Sequence, residues 1–169
     1  MGVNMKNTRE RTQNNITETI EQFSDMIYKI ALSYAKDKPT AEDILQDVLI
    51  KYMTDTTEFH DIEHKKAWLI RVTINECKQF FRSGWNKRKI PLEDVYSFEK
   101  PERHVVFYAV MDLPIKYRIV IHLFYYEEMS IKEISKVLKI NENTILSRLH
   151  RGRKLLKNVL EVDYEYRRV

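Results

Sequence analysis

Only three glycines and four prolines punctuate this chain of 169 residues. Hairpins, bulges and tight turns draw heavily on those two residue types, so a turn-rich β architecture is disfavoured. Ile, Leu, Lys and Glu are abundant instead, and helices accommodate them well. Apolar residues make up 43% of the chain, enough to fill a core. At this length one ordinary domain or two small ones are expected. The expected fold class is all-α, with two small helical domains joined by a linker.

Apolar residues recur at helical spacing from about Thr17, through Ile20, Phe23, Ile27, Ile30, Leu32 and Tyr34. Pro39 is read as the stop of that run, and Thr40 as the cap of a second helix with Asp43 as its acidic N3 partner. The second helix has Ile44, Leu45, Val48, Leu49 and Tyr52 as its apolar stripe, and Asp43, Gln46, Asp47 and Lys51 on its polar face. Thr54 to Glu63 reads as a loop. A longer helix follows over about His64 to Asn86, with Ala67, Leu69, Ile70, Val72, Ile74, Cys77, Phe80 and Phe81 as its apolar content. Of these, Phe80 and Phe81 are assigned to the core.

The pattern then breaks. Between Lys89 and Arg103 stand Pro91, Pro101, several acids and no helical stripe, so residues 89–103 are read as an interdomain linker. Helices resume near His104, with one ending at Leu113-Pro114 and the next running from about Ile115 to Glu127. Two more follow, over about Ser130 to Leu138 and Asn141 to Leu160. Residues 1–15 and 161–169 are expected to be frayed tails, which leaves domains at 16–88 and 104–160.

Ser130 to Arg153 carries the most specific signal. Ser130-Ile131-Lys132-Glu133 has the capping-box form. The short turn Lys139-Ile140-Asn141 leads into a helix that buries Ile145, Leu149, Gly152, Leu156 and Val159 at steps of three and four. Gly152 lets a neighbouring backbone come close, and Lys139 is expected to take the left-handed conformation that glycine often supplies at such a turn. Thr144, Ser147, Arg148, His150, Arg151 and Lys154 are left for the outer face. Between Asn143 and Asn158 stand five Lys or Arg and no acid. A helix with small polar groups and arginines at its N-terminal half suits the major groove of DNA, where arginine bridges guanine O6 and N7. The net charge of +4 agrees with an anionic partner without requiring one.

A second cationic stretch lies earlier. Lys78, Arg82, Lys87, Arg88 and Lys89 occur with no acid between Cys77 and Leu92, and Phe80, Phe81 and Trp85 lie among them. Cations track phosphates and aromatic faces stack on unpaired bases, a combination suited to melting DNA. Trp85, near the helix end, is the aromatic expected to be exposed.

The single cysteine excludes an internal disulfide and a Cys-cluster zinc site, and Cys77 is read as a buried inert thiol. No apolar run has the length of a membrane span and no signal peptide stands at the N-terminus, so a cytoplasmic location is expected. His60 and His64 are four apart beside Glu58, Asp61 and Glu63, but no His-Glu-x-x-His motif exists and the pair is set aside as a metal site. No glycine-rich phosphate loop occurs. Neither a cofactor, a metal nor a catalytic residue is expected.

Four segments together resemble the extracytoplasmic-function (ECF) branch of the bacterial sigma-70 family of RNA polymerase sigma factors. They are Ala41-Glu42-Asp43-Ile44-Leu45-Gln46-Asp47-Val48; Ala67-Trp68-Leu69-Ile70-Arg71-Val72 with Asn75; Leu113-Pro114-Ile115-Lys116-Tyr117-Arg118; and Thr144 to Arg153. Their order and spacing match over about Thr17 to Leu160. The resemblance implies sigma region 2 as the N-terminal helical bundle and sigma region 4 as the C-terminal helix-turn-helix domain. It places the polymerase-binding face, toward the β′ clamp, at Asp43, Gln46, Asp47 and Lys51, and a further contact of the C-terminal domain on the β flap. It places reading and melting of the promoter −10 element at Phe59, Trp68, Arg71, Asn75, Lys78, Arg82, Trp85, Lys87 and Arg88, with a base flipped into a pocket near Phe59, Arg71 and Asn75. It places reading of the −35 element at Thr144, Ser147, Arg148, His150, Arg151, Arg153 and Lys154. Core RNA polymerase, promoter DNA and an anti-sigma factor are the implied partners, and the last would hold the chain at a membrane. Gln79, where many relatives have Asp, and Gly152, where Ala is common, depart from the family pattern. The competing reading is a dimeric helix-turn-helix regulator with an N-terminal sensor domain, which leaves Ala41 to Lys89 unexplained.

Overall fold

The computed structural model describes residues 5–82 and 101–166. Over these the chain is a succession of helices with no strand: α1 (Met5–Ala35), α2 (Lys38–Thr54), α3 (Ile62–Arg82), α4 (Pro101–Asp112), α5 (Ile115–Tyr125), α6 (Ile131–Leu138) and α7 (Glu142–Tyr166). Helices α1–α3 pack on one another as a first bundle and α4–α7 as a second. Most of the expected linker, with Trp85, Lys87 and Arg88, lies outside the described residues.

The first bundle closes on Ile27, Ile30, Ala41, Ile44, Val48, Leu69, Ile74 and Cys77, all at or near zero exposure. Burial pushes the Cys77 thiol well above its ordinary range, as an inert cysteine requires. A polar knot ties the three helices at one end. Thr19 Oγ1 donates to Tyr52 Oη at 2.9 Å, Tyr52 Oη donates to Asn15 Oδ1 at 2.9 Å, and Lys65 Nζ donates to the same Asn15 oxygen at 2.9 Å. These bonds engage α1 at residue 15, where a frayed tail was expected, and its backbone is helical back to Met5.

Two expectations of the periodicity need correcting. Pro39 does not stop α1. The helix ends at Ala35, Lys36 takes a left-handed φ of 55°, and Pro39 lies in the first turn of α2, where its missing N–H costs nothing. The cap of α2 is therefore Asp37, whose carboxylate accepts from Thr40 N–H at 2.9 Å, and Thr40 is the capped residue. Among apolar positions, Ile20, Phe81 and Val159 are exposed although their spacing assigned them inward. Ile20 lies off the buried Phe23–Ile27–Ile30 line. Val159 stands beyond Leu156, the last residue of α7 packed on the core among those whose side chains are described.

The second bundle closes on Val120, Leu123, Ile134, Ile145 and Leu149. Its helix-turn-helix is built as the spacing predicts. Ser130 Oγ accepts from Glu133 N–H, and the Glu133 carboxylate accepts from Ser130 N–H at 2.8 Å and from its hydroxyl at 2.6 Å. Lys139 adopts φ 57°, ψ 47° and Ile140 N–H donates back to Ser135 C=O at 3.1 Å. Asn141 Oδ1 then caps α7 through Thr144 N–H at 2.8 Å. Gly152 is buried where an added Cβ would lie 3.1 Å from Ile121 Cγ1, so the close approach of α5 and α7 is real.

Two consequences are measurable by urea unfolding. Replacing Lys139 by Gly removes the left-handed penalty, and stability should rise by about 0.5–1 kcal/mol after the added freedom of the unfolded chain is discounted. Bonds from Ser130 hold the Glu133 carboxyl below its ordinary value of 4.5. A carboxyl depressed in the folded state stabilises fully above that ordinary value and loses its contribution as pH falls through the folded value. Ser130→Ala should therefore cost about 1 kcal/mol at neutral pH, with a gap to wild type that narrows in acid. A gap independent of pH would show that the box does not hold the carboxylate.

Candidate nucleic-acid interface

Because Ile145 and Leu149 turn inward, the opposite side of α7 is left to solvent. Ser147, His150, Arg151 and Lys154 are exposed there, with Thr144 and Arg148 half-buried at the edge. The start of α5 faces them. Lys116 and Tyr117 join Asn143, Thr144, Ser147 and Arg151 around an open groove of about 550 Å³. Arg151 donates a hydrogen bond to the Tyr117 hydroxyl, and this bond holds the phenol below its ordinary value of 10.0. The groove carries cations, amides and hydroxyls and no carboxylate, a lining that accepts a phosphate backbone.

Arg153, which the family resemblance places on the same surface, is engaged elsewhere. Its Nε donates to Tyr125 Oη at 2.7 Å, and its guanidinium lies 5.5 Å from the Phe124 and Tyr125 ring centres. Arg153 thus braces α7 against the end of α5 through a cation–π contact. Tyr117 and Tyr125 were not found by reading the sequence. Each stands outside the acid-free run, and only the packing of α5 on α7 brings them in.

On α3 the side chains Arg71, Asn75, Lys78 and Arg82 are exposed, and their spacing of four, three and four puts them in one stripe along the helix. Beside that stripe is an aromatic cluster. The Phe59 ring lies 6.1 Å from Tyr52 in stacked orientation, and 5.6 Å from Trp68 and 5.5 Å from His64 edge to face. Trp68 itself is 8% exposed and backs the cluster from inside, so it positions Phe59 and offers no free face. His60 and His64 stack at 5.2 Å, with His60 N–H directed at His64 Nδ1, while Asp61 caps His64 N–H at 2.7 Å. Among the described residues no three His, Cys, Asp or Glu side chains are grouped to hold a metal.

The α2 face presents Asp43, Gln46 and Asp47 to solvent, but Lys51 is ion-paired with Glu76 of α3 and links the two helices. Next to the acids stand Ile50 and Met53, 57% and 51% exposed. Sequence reading missed them, though Gln46, Ile50 and Met53 follow one another at steps of four and three. Two large apolar side chains beside acids form a surface suited to a protein partner more than to DNA.

Comparison with known proteins bears on the family of the two bundles. The chain matches the family model Sigma-70 region 2 over residues 19–87 and the model Sigma-70, region 4 over residues 106–156. It is similar to the ECF RNA polymerase sigma factor SigM of Bacillus subtilis, 29% identical over 156 residues that cover 84% of this chain and 93% of the relative. It is also similar to the RNA polymerase sigma factor SigV of the same organism, at 25% identity with 88% and 93% covered. The fold resembles the sigma factor RpoE of Bartonella quintana, solved with the anti-sigma factor NepR, with a TM-score of 0.72 at 22% identity over 88% of this chain and 98% of that one. CnrH, solved with the cytosolic domain of CnrY, gives 0.65 at 21% identity over 89% and 90%. With both of the family's regions matched in order on one chain, the protein belongs to the sigma-70 family.

Proposed function

We propose that this chain acts as an ECF-type sigma factor that binds core RNA polymerase and directs initiation at its own set of promoters. The observation that carries the reading is the presence of two separate cationic helix faces, on α3 and α7, each within a different region of one sigma-70 chain. In this reading residues 16–88 form region 2, 89–103 the linker and 104–160 region 4. The acidic and apolar face of α2 docks on the β′ clamp and region 4 on the β flap. Helix α7 enters the major groove of the −35 element with Ser147, Arg151 and Lys154 foremost, while Lys116 and Tyr117 steady the adjoining phosphates. The α3 stripe tracks the −10 strand, and Phe59 with Asn75 receives a base taken out of the duplex. Flipping costs a few kcal/mol of pairing and stacking, which an aromatic face and an amide can offset. The chain contributes binding energy and no bond-breaking chemistry. One similar solved fold is the sigma factor RpoE in complex with the anti-sigma factor NepR, which supports control by such a partner. No helix among the described residues is long and apolar enough to cross a membrane, so we place the chain in the cytoplasm and assign any membrane attachment to the partner.

Reconstitution with core polymerase tests the reading directly: added chain should enable transcription from a promoter that core alone ignores, and failure to do so rejects it. Arg151→Ala should weaken recognition of the −35 duplex by about 1–3 kcal/mol; electrophoretic mobility shift with unchanged affinity would remove Arg151 from the reading surface. Asn75→Ala should leave polymerase binding intact and impair opening, visible as reduced permanganate reactivity of unpaired thymines.

A further inference from the structure

Leu146 is a large apolar residue in the second turn of α7 that the core leaves out. It is 51% exposed, while Ile145 beside it is fully buried. Successive helical residues turn by about 100°, so Leu146 stands on one flank of the outward face. Asn143, Ser147 and His150, which neighbour it on the helix surface, are all exposed. Leu155 and Val159 are exposed as well, but they lie in the C-terminal half of α7, beyond the residues that line the groove.

The two flanks of α7 differ in chemistry. On one, Thr144, Arg148 and Arg151 join Lys116 and Tyr117 around the open groove, and cations there suit phosphate. On the other, Glu142 stands exposed one turn before Leu146. Arg153, the first arginine on that side, donates to Tyr125 Oη and lies against the Phe124 and Tyr125 rings. The Leu146 flank therefore offers an acid, an apolar side chain, an amide and an imidazole, and its arginine is already engaged. A major groove about 12 Å wide fits closely around a helix of about 10–12 Å, so both flanks meet DNA. Phosphate is no partner for Leu146. Of the groups that base edges present in the major groove, the apolar one is the thymine C5-methyl.

We propose that Leu146 is a specificity residue: it packs on the C5-methyl of one thymine in the −35 element, with Asn143 and His150 bounding the contact. This rests on the assignment of α7 to the −35 duplex. The contact is favourable because it takes the methyl and part of an exposed leucine out of water together. It discriminates against cytosine, adenine and guanine, none of which carries a methyl at that place. Ser147 and Arg151 read hydrogen-bonding groups, and Leu146 adds a reading of shape that those groups do not supply.

Replacing thymine by deoxyuridine deletes that methyl and keeps every hydrogen-bonding group. The full chain, reconstituted with core polymerase, first selects its preferred element from duplexes randomised in the −35 region. Each thymine of the selected element is then replaced singly by deoxyuridine, and affinity is measured by competition. One position should lose about three- to fivefold, the worth of one buried methyl group. In Leu146→Ala thymine and deoxyuridine should bind alike at that position. Leu146→Met, which keeps a similar apolar volume, should retain the preference. Arg151→Ala should bind more weakly overall and keep the wild-type ratio between the two bases. Because position 146 lies outside the core, these losses do not reflect unfolding. A selected element in which no thymine is sensitive to its methyl, or a sensitivity that persists in Leu146→Ala, overturns the assignment of Leu146. If that element still depends on Arg151, α7 remains the reader and Leu146 alone is removed. Selection of no element at all sinks both the thymine contact and the −35 reading beneath it.

Discussion

Everything this molecule offers to a partner follows from which side of each helix must be hidden. In α7 the burial of Ile145 and Leu149 sets the rotation of the helix about its axis, and burial of such side chains is worth about 1.5–3 kcal/mol each. No comparable gain is available to a helix rotated to hide its arginines. Arg153 reinforces the same rotation from the flank through Tyr125 and Phe124. The cationic face is thus the remainder of a packing problem, and its precision comes from the apolar side.

The same logic holds in the first bundle. Ile44, Val48 and Tyr52 seat α2 against its neighbours, and Asp43, Gln46 and Asp47 are left outside with Ile50 and Met53. Burial of Leu69, Ile70, Ile74 and Cys77 leaves Arg71, Asn75, Lys78 and Arg82 in line on α3. Electrostatics then divides the surfaces: two are cationic and one is acidic and apolar, so one chain presents different chemistry to nucleic acid and to protein.

Much of this was legible before any coordinates, and the reasons are local. The capping box at Ser130, the left-handed Lys139 and the Asn141 cap are each decided within a few residues, and all three occur as their spacing requires. The buried stripes of α2 and α7 were legible for the same reason, except where a helix outruns its partner, as at Val159. The boundary between α1 and α2 was misread because Pro39 breaks a helix or begins one according to its neighbours, and the decision lay with Asp37. What could not be read was contact between distant segments. Arg118 reaching Ser33, Lys66 reaching Glu127 and Tyr117 accepting from Arg151 join residues whose sequence separations carry no periodic signal. In the sequence Arg118 belongs to a family motif and looks like one more surface cation.

At Gly152 the backbone of α7 approaches Ile121 so closely that a single methyl would already crowd it. Interiors packed to crystal density do not absorb such volume freely. Positions 121 and 152 are therefore one steric unit divided between two helices. A relative with alanine at the second position should carry a shorter or differently branched side chain at the first, and paired drift in size at these two sites is the evolutionary trace that this crossing would leave.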